Sequence, residues 1–395
     1  MNLFDHENID FEVLKKRAFN LRWAEMDEGI LPLTAADSDF PCAKEINEDL
    51  IEYINGGYFS YTPKMGFTSL KESIANAMWK RKQERINPEF VLPIDSAARA
   101  MSIVAKAFLH EDDEFIVFDP VDFLFKKSMD ATGAKCIYFP ANIKDGHIDL
   151  SHFEEYITPK TKMLGLCNPH NPLGMLYTKE DLTLIQELCY KHDIYIMNDE
   201  IWSDIVYPPN KFISILQLDE KKNDKVCTVY GFSKAFGVAG LRAGCIYAQT
   251  QEMFDKILEA SEVMSTIGGI SSLSQIAAQT CLDKCYYWVD GFVGQLKKNR
   301  DYAVERINKM PYLHVISPDA TFVLFINIME TGLTSDEFVN FMKEKVKLAL
   351  VPGSDAFFGP NSAGYVRLCF STSDKILEEG INRLERGIKL IQESK

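Results

Sequence analysis

The chain has 395 residues, 46% of them hydrophobic and 25% charged, enough for a large and a smaller packed unit and too apolar for disorder. Its formal net charge of -14 opposes binding to nucleic-acid phosphates or anionic lipid, so a small-molecule site is expected. Nine scattered cysteines without a C-x-x-C pair read as reduced thiols of a cytosolic protein. No apolar run is long enough to cross a bilayer, and seven histidines without ligand spacing give a metal no support.

Residues 1–45 form a polar arm with too few periodic apolar positions to stand alone, and it is expected to pack on the C-terminal unit. They lack the basic-then-apolar order of a signal peptide. Ser96-Ala97-Ala98 opens a helix that continues through Met101 to Phe108. Short apolar runs at Phe115–Phe118, Met163–Leu166, Ile194–Met197, Cys227–Tyr230 and Ala243–Tyr247 read as buried strands. Most are separated by helix-period segments such as Glu180–His192, as parallel crossovers require. The pattern predicts an α/β sheet flanked by helices over residues 46–286. From residue 287 it changes to a long helix over Gly291–Met310, a strand pair around Ala320–Ile328, a helix from Ser335 and a terminal helix after Ser373. These form a smaller α+β unit over residues 287–395.

Polar residues cluster just past the strands, where open α/β sheets hold their ligands. Lys234 lies among small and apolar neighbours in Tyr230–Gly244. Desolvation there would lower its pKa and make it a nucleophilic amine suited to Schiff-base chemistry, although an arbitrary lysine simply snorkels to water. Asp199 ends a buried strand, where a carboxylate needs either a cationic partner or a helix to cap. Asn171 sits in Asn168-Pro169-His170-Asn171-Pro172-Leu173-Gly174, a stiff turn that can present a side-chain amide. Arg242 follows Lys234 across a glycine-rich turn. Ser96, Ala97 and Ala98 could offer a hydroxyl and helix N-terminal amides to a phosphate, or Ser96 could be an ordinary cap. Arg367, in an otherwise apolar strand, needs a partner, either a substrate carboxylate or a protein one.

Together these segments resemble the fold type I pyridoxal-phosphate enzymes of the aspartate aminotransferase superfamily. Within it they are similar to the class I/II aminotransferases and the cystathionine β-lyase-like group. The motifs N-P-x-N-P-x-G, D-E-[IV] and S-K-x-F-x-x-x-G-[LM]-R occur in order at Asn168–Gly174, Asp199–Ile201 and Ser233–Arg242. The resemblance implies pyridoxal 5'-phosphate held as a Schiff base by Lys234 within a mostly parallel seven-stranded sheet, with a smaller α+β domain beside it. It gives Asp199 to the pyridine nitrogen and Asn171 to the ring oxygen. Ser96, Ala97, Ala98, Ser233 and Arg242 would serve the phosphate. Tyr61 would reach the phosphate from a neighbouring subunit, which implies a homodimer. Ala36, Asp122, Asn171 and Arg367 are the implied substrate contacts, Arg367 holding the α-carboxylate.

Three positions depart from the family's pattern. Asp122 stands where an aromatic ring usually stacks on the cofactor, and either caps a helix beginning at Phe123 or faces a cationic substrate side chain. Trp202 replaces a tyrosine that hydrogen-bonds the ring oxygen, and indole can donate but not ionise. Asp95 adds negative charge beside Ser96. The implied activity is conversion of an amino acid to its 2-oxo acid. A carbon–sulfur β-lyase releasing ammonia and an oxo acid is the alternative. An amino-acid-sensing regulator is a third reading, opposed by the acidic charge and by the family match beginning within about forty residues of the start.

Overall fold

Seven strands form the larger sheet of the computed structural model, which describes residues 3–144, 146–265 and 268–394. They are β1 (Val91–Ile94), β2 (Glu114–Asp119), β3 (Lys135–Pro140), β4 (Thr161–Cys167), β5 (Tyr195–Asp199), β6 (Val226–Gly231) and β7 (Gly244–Tyr247), in the order β1-β7-β6-β5-β4-β2-β3. β7 runs antiparallel to both neighbours and every other pair is parallel. The sheet contains the five expected runs and two strands the hydrophobic pattern did not reveal. β1 carries Pro93, which cannot donate to a ladder and is tolerated because β1 is an edge strand. β3 is the opposite edge and only half-buried, so its apolar signal is diluted. β7 is antiparallel within the mostly parallel sheet, because the turn-rich segment after β6 reverses the chain instead of crossing the sheet.

Helices cover the sheet, among them α1 (Ala97–Phe108), α2 (Leu124–Met129) and α3 (Lys179–Lys191). α1 buries Ala100, Met101, Val104 and Phe108 against the sheet. α3 starts at a reciprocal cap in which Thr178 accepts from the Asp181 amide and Asp181 accepts from the Thr178 amide.

α4 spans Tyr286–Ile307, five residues earlier than expected at its start. Gly291 had looked like its boundary but lies inside it, where a Cβ would come within 2.9 Å of the Phe4 ring. The missing side chain admits the arm: Phe4 stacks on Phe292, with centroids 5.7 Å apart. A second sheet of β8 (His314–Val315), β9 (Val323–Asn327), β10 (Val351–Pro352) and β11 (Tyr365–Cys369) has the order β8-β9-β11-β10 and is antiparallel throughout. The expected strand pair at 320–328 is β9 alone, whose partners are β8 and the distant β11. α5 (Ser335–Val346) packs beside this sheet, α6 (Asp374–Glu393) packs against α4 and α5, and Ser373 caps α6.

The arm touches these C-terminal elements. Leu31–Pro32 pairs parallel with Leu348–Ala349, Leu33 accepts from the Cys369 amide at 3.0 Å, and His6 Nδ1 lies 2.7 Å from Ser373 Oγ. Its inner end, Ala35–Ala36, lines the cavity described next.

Candidate active site

The ends of β2, β4, β5 and β6 and the N-terminus of α1 meet at one cavity of about 360 Å³. Lys234, Ser96, Ala97, Ala98, Asn171, Asp199, Trp202, Ser233, Arg242, Ala36, Asp122 and Arg367 all line it. Tyr61 is the exception: its side chain is 99% exposed and stands in a separate cleft beside Lys64 and Ser271.

Lys234 follows β6 on a one-turn helix, Ser233–Phe236, which Gly237 ends with φ +65°, a left-handed conformation open to glycine without strain. Its Nζ donates to the Ala36 carbonyl at 2.6 Å and lies 5.3 Å from the centre of the Trp202 ring. Burial pulls the ammonium below the ordinary lysine range. Asp37 and Asp122 oppose that shift and Arg367 adds to it. Trp202 is 2% exposed, held edge-to-face on Phe322 at 4.7 Å, and presents its face to that ammonium.

Asp199 is pushed up to about 7, chiefly by burial, with Asp122 and Glu200 adding to the shift and the Ile201 amide and Lys234 opposing it. Its Oδ1 accepts from the Ile201 amide at 3.0 Å, inside a turn and not at a helix start, so the capping role has no helix to serve. A carboxyl this buried, with no cation paired to it among the described residues, suits a protonated ring nitrogen.

Asn171 is 2% exposed. Its Nδ2 donates to Asp122 Oδ2 at 2.8 Å and its Oδ1 accepts from Arg367 Nη1 at 3.4 Å. Arg367, 8% exposed on β11, also donates to the Thr34 carbonyl at 3.4 Å and lies 4.9 Å from the Phe358 ring centre. Burial lowers its pKa, its Nε finds no acceptor, and it forms no ion pair among the described residues. The protein-carboxylate reading of Arg367 therefore fails, and a bidentate anion would complete its fork.

Asp122 Oδ1 accepts from the Leu124 amide at 3.1 Å, so the carboxylate does support the start of α2, which begins at Leu124 and not Phe123. Ser96 is an N-cap: its Oγ accepts from the Arg99 amide at 3.2 Å and hydrogen-bonds Asp95 Oδ1 at 3.1 Å. The hydroxyl is thus already engaged, which leaves the Ala97 and Ala98 end of α1, with its unpaired amides and positive dipole end, as the stronger anion-binding feature. Gly244 permits this packing, since a Cβ there would fall 2.8 Å from the Ala97 amide nitrogen. Arg242 completes that side. It is exposed, forms no ion pair among the described residues, and holds φ +49°, a conformation costly for an arginine and typical of functional turns.

Several lining residues carry no sequence signal. Asn20 and Leu21 both adopt left-handed φ, 64° and 63°, and reach the cavity from the arm. Phe357 and Phe358 arrive from the loop after β10. No cluster of three or more metal-ligating side chains occurs among the described residues.

Half-buried lysine, a carboxyl without a paired cation, an unfilled arginine fork and an amide-rich helix end fit the amine, ring nitrogen, carboxylate and phosphate contacts that pyridoxal phosphate and an amino acid would need. The comparisons with known proteins agree. The chain is 29% identical to the cystathionine β-lyase PatB of Bacillus subtilis over 91% of its own length and 92% of that protein's. It is 31% identical to the aspartate aminotransferase of Thermotoga maritima over 91% of each. The aromatic aminotransferase structure from Pyrococcus horikoshii OT3 superposes with a TM-score of 0.86 at 28% identity, covering 93% of this chain and 98% of that one. The family described as aminotransferase class I and II matches residues 23–384, and the chain belongs to it.

Proposed function

We infer that the protein is a pyridoxal-phosphate-dependent aminotransferase that converts an amino acid to its 2-oxo acid, with Lys234 as the Schiff-base and proton-transfer residue. One observation carries the assignment of roles: half-buried Lys234 and buried Asp199 and Arg367 line the same cavity, and none of the three forms an ion pair among the described residues. Bound pyridoxal phosphate supplies the sink for the electrons left when the substrate's α-proton departs. Asp199, as a carboxylate, would hold the proton of that group's ring nitrogen. Arg367 grips the α-carboxylate through its fork and so fixes the direction of the α-C–H bond. Lys234 would accept the α-proton, a task helped by its lowered pKa. The α1 amides, Ser233 and Arg242 would hold the phosphate, and Asn171 would donate to the ring oxygen.

The arm at 1–45, the large unit at 46–286 and the small unit at 287–395 form the domain plan, supported by two separate sheets and by the arm's contacts with β11 and α6. A homodimer belongs to the same reading, with Tyr61 serving the neighbouring site. Its support is the exposure of the large apolar side chains of Ile51, Tyr58, Phe59, Tyr61 and Met264. A cytosolic location is supported by nine unpaired thiols, and no helix among the described residues is long and apolar enough to cross a membrane.

The likeness to PatB favours a second reading, a carbon–sulfur β-lyase, which needs the same anchors and a substrate with a leaving group at Cβ. The deciding experiment is single-turnover product analysis with an amino-acid pool that includes cystathionine and no oxo-acid acceptor. One equivalent of 2-oxo acid followed by arrest identifies an aminotransferase. Continuing release of ammonia identifies a lyase.

A further inference from the structure

The carboxylate of Asp122 occupies a place where an aromatic ring was expected, and its contacts assign it a task. Its loop is held on both sides. The Val121 and Phe123 amides donate to the Phe358 and Phe357 carbonyls at 2.9 and 3.0 Å, and the Asp122 amide donates to the Asn171 carbonyl at 3.1 Å. The side chain is therefore aimed by backbone contacts. Its Oδ1 supports Leu124, and its Oδ2 accepts from Asn171 Nδ2 at 2.8 Å.

An asparagine amide can usually be turned over, exchanging its oxygen and nitrogen at little cost. Asn171 cannot. Arg367 only donates and Asp122 only accepts, so a reversed amide would set NH2 against guanidinium and oxygen against carboxylate. One orientation remains, with Oδ1 on Arg367 and one Nδ2 hydrogen on Asp122. The second Nδ2 hydrogen is then left for the cavity. The neighbouring charges are Lys234, Arg367 and Asp199, and Asp122 acts on all three.

We propose that Asp122 is a positioning residue that locks the Asn171 amide so that its second hydrogen faces the cofactor's ring oxygen, and that it does not recognise a cationic substrate side chain. This rests on the pyridoxal-phosphate reading above. The test is Asp122→Ser, because serine can still cap Leu124 but is too short to reach Asn171 as well. Cofactor dissociation constants are measured for wild type, D122S, N171A and the double variant. Thermal midpoints, and kcat/KM for lysine, ornithine and neutral amino acids, are measured alongside.

D122S should weaken cofactor binding about tenfold, the effect of a lost hydrogen bond to a charged group. It should lower kcat/KM for basic and neutral substrates alike, leave the thermal midpoint near wild type, and add nothing in the N171A background. Loss confined to basic substrates with cofactor binding intact would overturn the proposal in favour of side-chain recognition. Effects that multiply with those of N171A, or wild-type behaviour throughout, would overturn it too. If D122S does not fold, D122N enters the same cycle and is judged by the same coupling. Failure of the wild-type protein to bind pyridoxal phosphate would instead remove the underlying functional reading.

Discussion

Asp199 gives the sharpest numerical test, because its burial makes it a liability in the cofactor-free protein. Its carboxyl moves from 3.8 to about 7 on folding, so the folded state binds the proton more tightly than the unfolded one. At about 1.36 kcal/mol per pH unit this corresponds to about 4 kcal/mol of stability, present below pH 3.8 and lost as pH rises through 7. Asp199→Asn keeps an acceptor for the Ile201 amide and cannot ionise. The cofactor-free variant should therefore unfold at higher urea than wild type at pH 8, by an amount equivalent to a few kcal/mol. Between pH 5 and pH 8 that advantage should grow by about 3 kcal/mol, since most of the titration lies in this interval. The assay is urea unfolding of both proteins, stripped of cofactor, at pH 5, 6, 7 and 8, followed by fluorescence and circular dichroism together so that departure from two-state behaviour is seen. With pyridoxal phosphate restored the order should invert, because only the carboxylate can pair with the ring nitrogen. An advantage that does not change with pH would refute the reasoning, since it would mean that Asp199 is not a neutral buried acid in the empty site.

Arg367→Lys should raise KM for amino acids by about 10- to 100-fold with cofactor affinity little changed, because an ammonium cannot replace the bidentate fork; steady-state kinetics beside cofactor titration checks this. Lys234→Ala should abolish covalent retention of the cofactor, read as loss of the added mass on the Lys234 peptide after borohydride reduction. Mixing Tyr61→Ala with Lys234→Ala subunits should restore activity that neither has, since a hybrid dimer holds one site with both residues; no recovery after verified subunit exchange would remove Tyr61 from the neighbouring site.

The residues legible in the sequence share a geometric property. Asn171, Asp199 and Lys234 each lie within a few residues of a parallel strand's end, so a local motif and a buried run together place them at one rim. Arg367 was legible for a different reason, as a charge inside an apolar strand. What stayed hidden depends on distant parts of the chain. Nothing near Phe357 and Phe358 indicates that their loop crosses to pair with Val121 and Phe123. The left-handed turn at Asn20 and Leu21 is held only partly by its neighbourhood: Glu25 accepts the Leu21 amide, but the Leu21 carbonyl is held by Thr34 Oγ1, thirteen residues on. The helix boundary misplaced at Gly291 has the same origin, because that glycine answers to Phe4, far away in sequence.

Two pairs of like residues contrast the charges of the site with paired charges elsewhere. Asp199 and Glu200 are consecutive, and both are buried. Glu200 accepts from Asn198 Nδ2 at 2.7 Å and Ser214 Oγ at 2.5 Å, with Lys82 at 3.6 Å. Asp199 has the Ile201 amide and no paired cation among the described residues. Arg22 and Arg367 are likewise both buried. Arg22 is bonded to Asp39 with Asp37 3.6 Å away, while Arg367 has neutral oxygens and a phenyl ring. The chain thus holds the means to neutralise buried charges and applies them to Glu200 and Arg22. Leaving Asp199 and Arg367 without ionic partners costs stability in the empty protein, a cost that ligands of opposite charge would remove on binding. Among the described residues Asp199 has no paired cation and Arg367 no paired anion, and both line the cavity that Lys234 lines. A ligand pair that brings a protonated ring nitrogen to one and a carboxylate to the other answers both deficits at once.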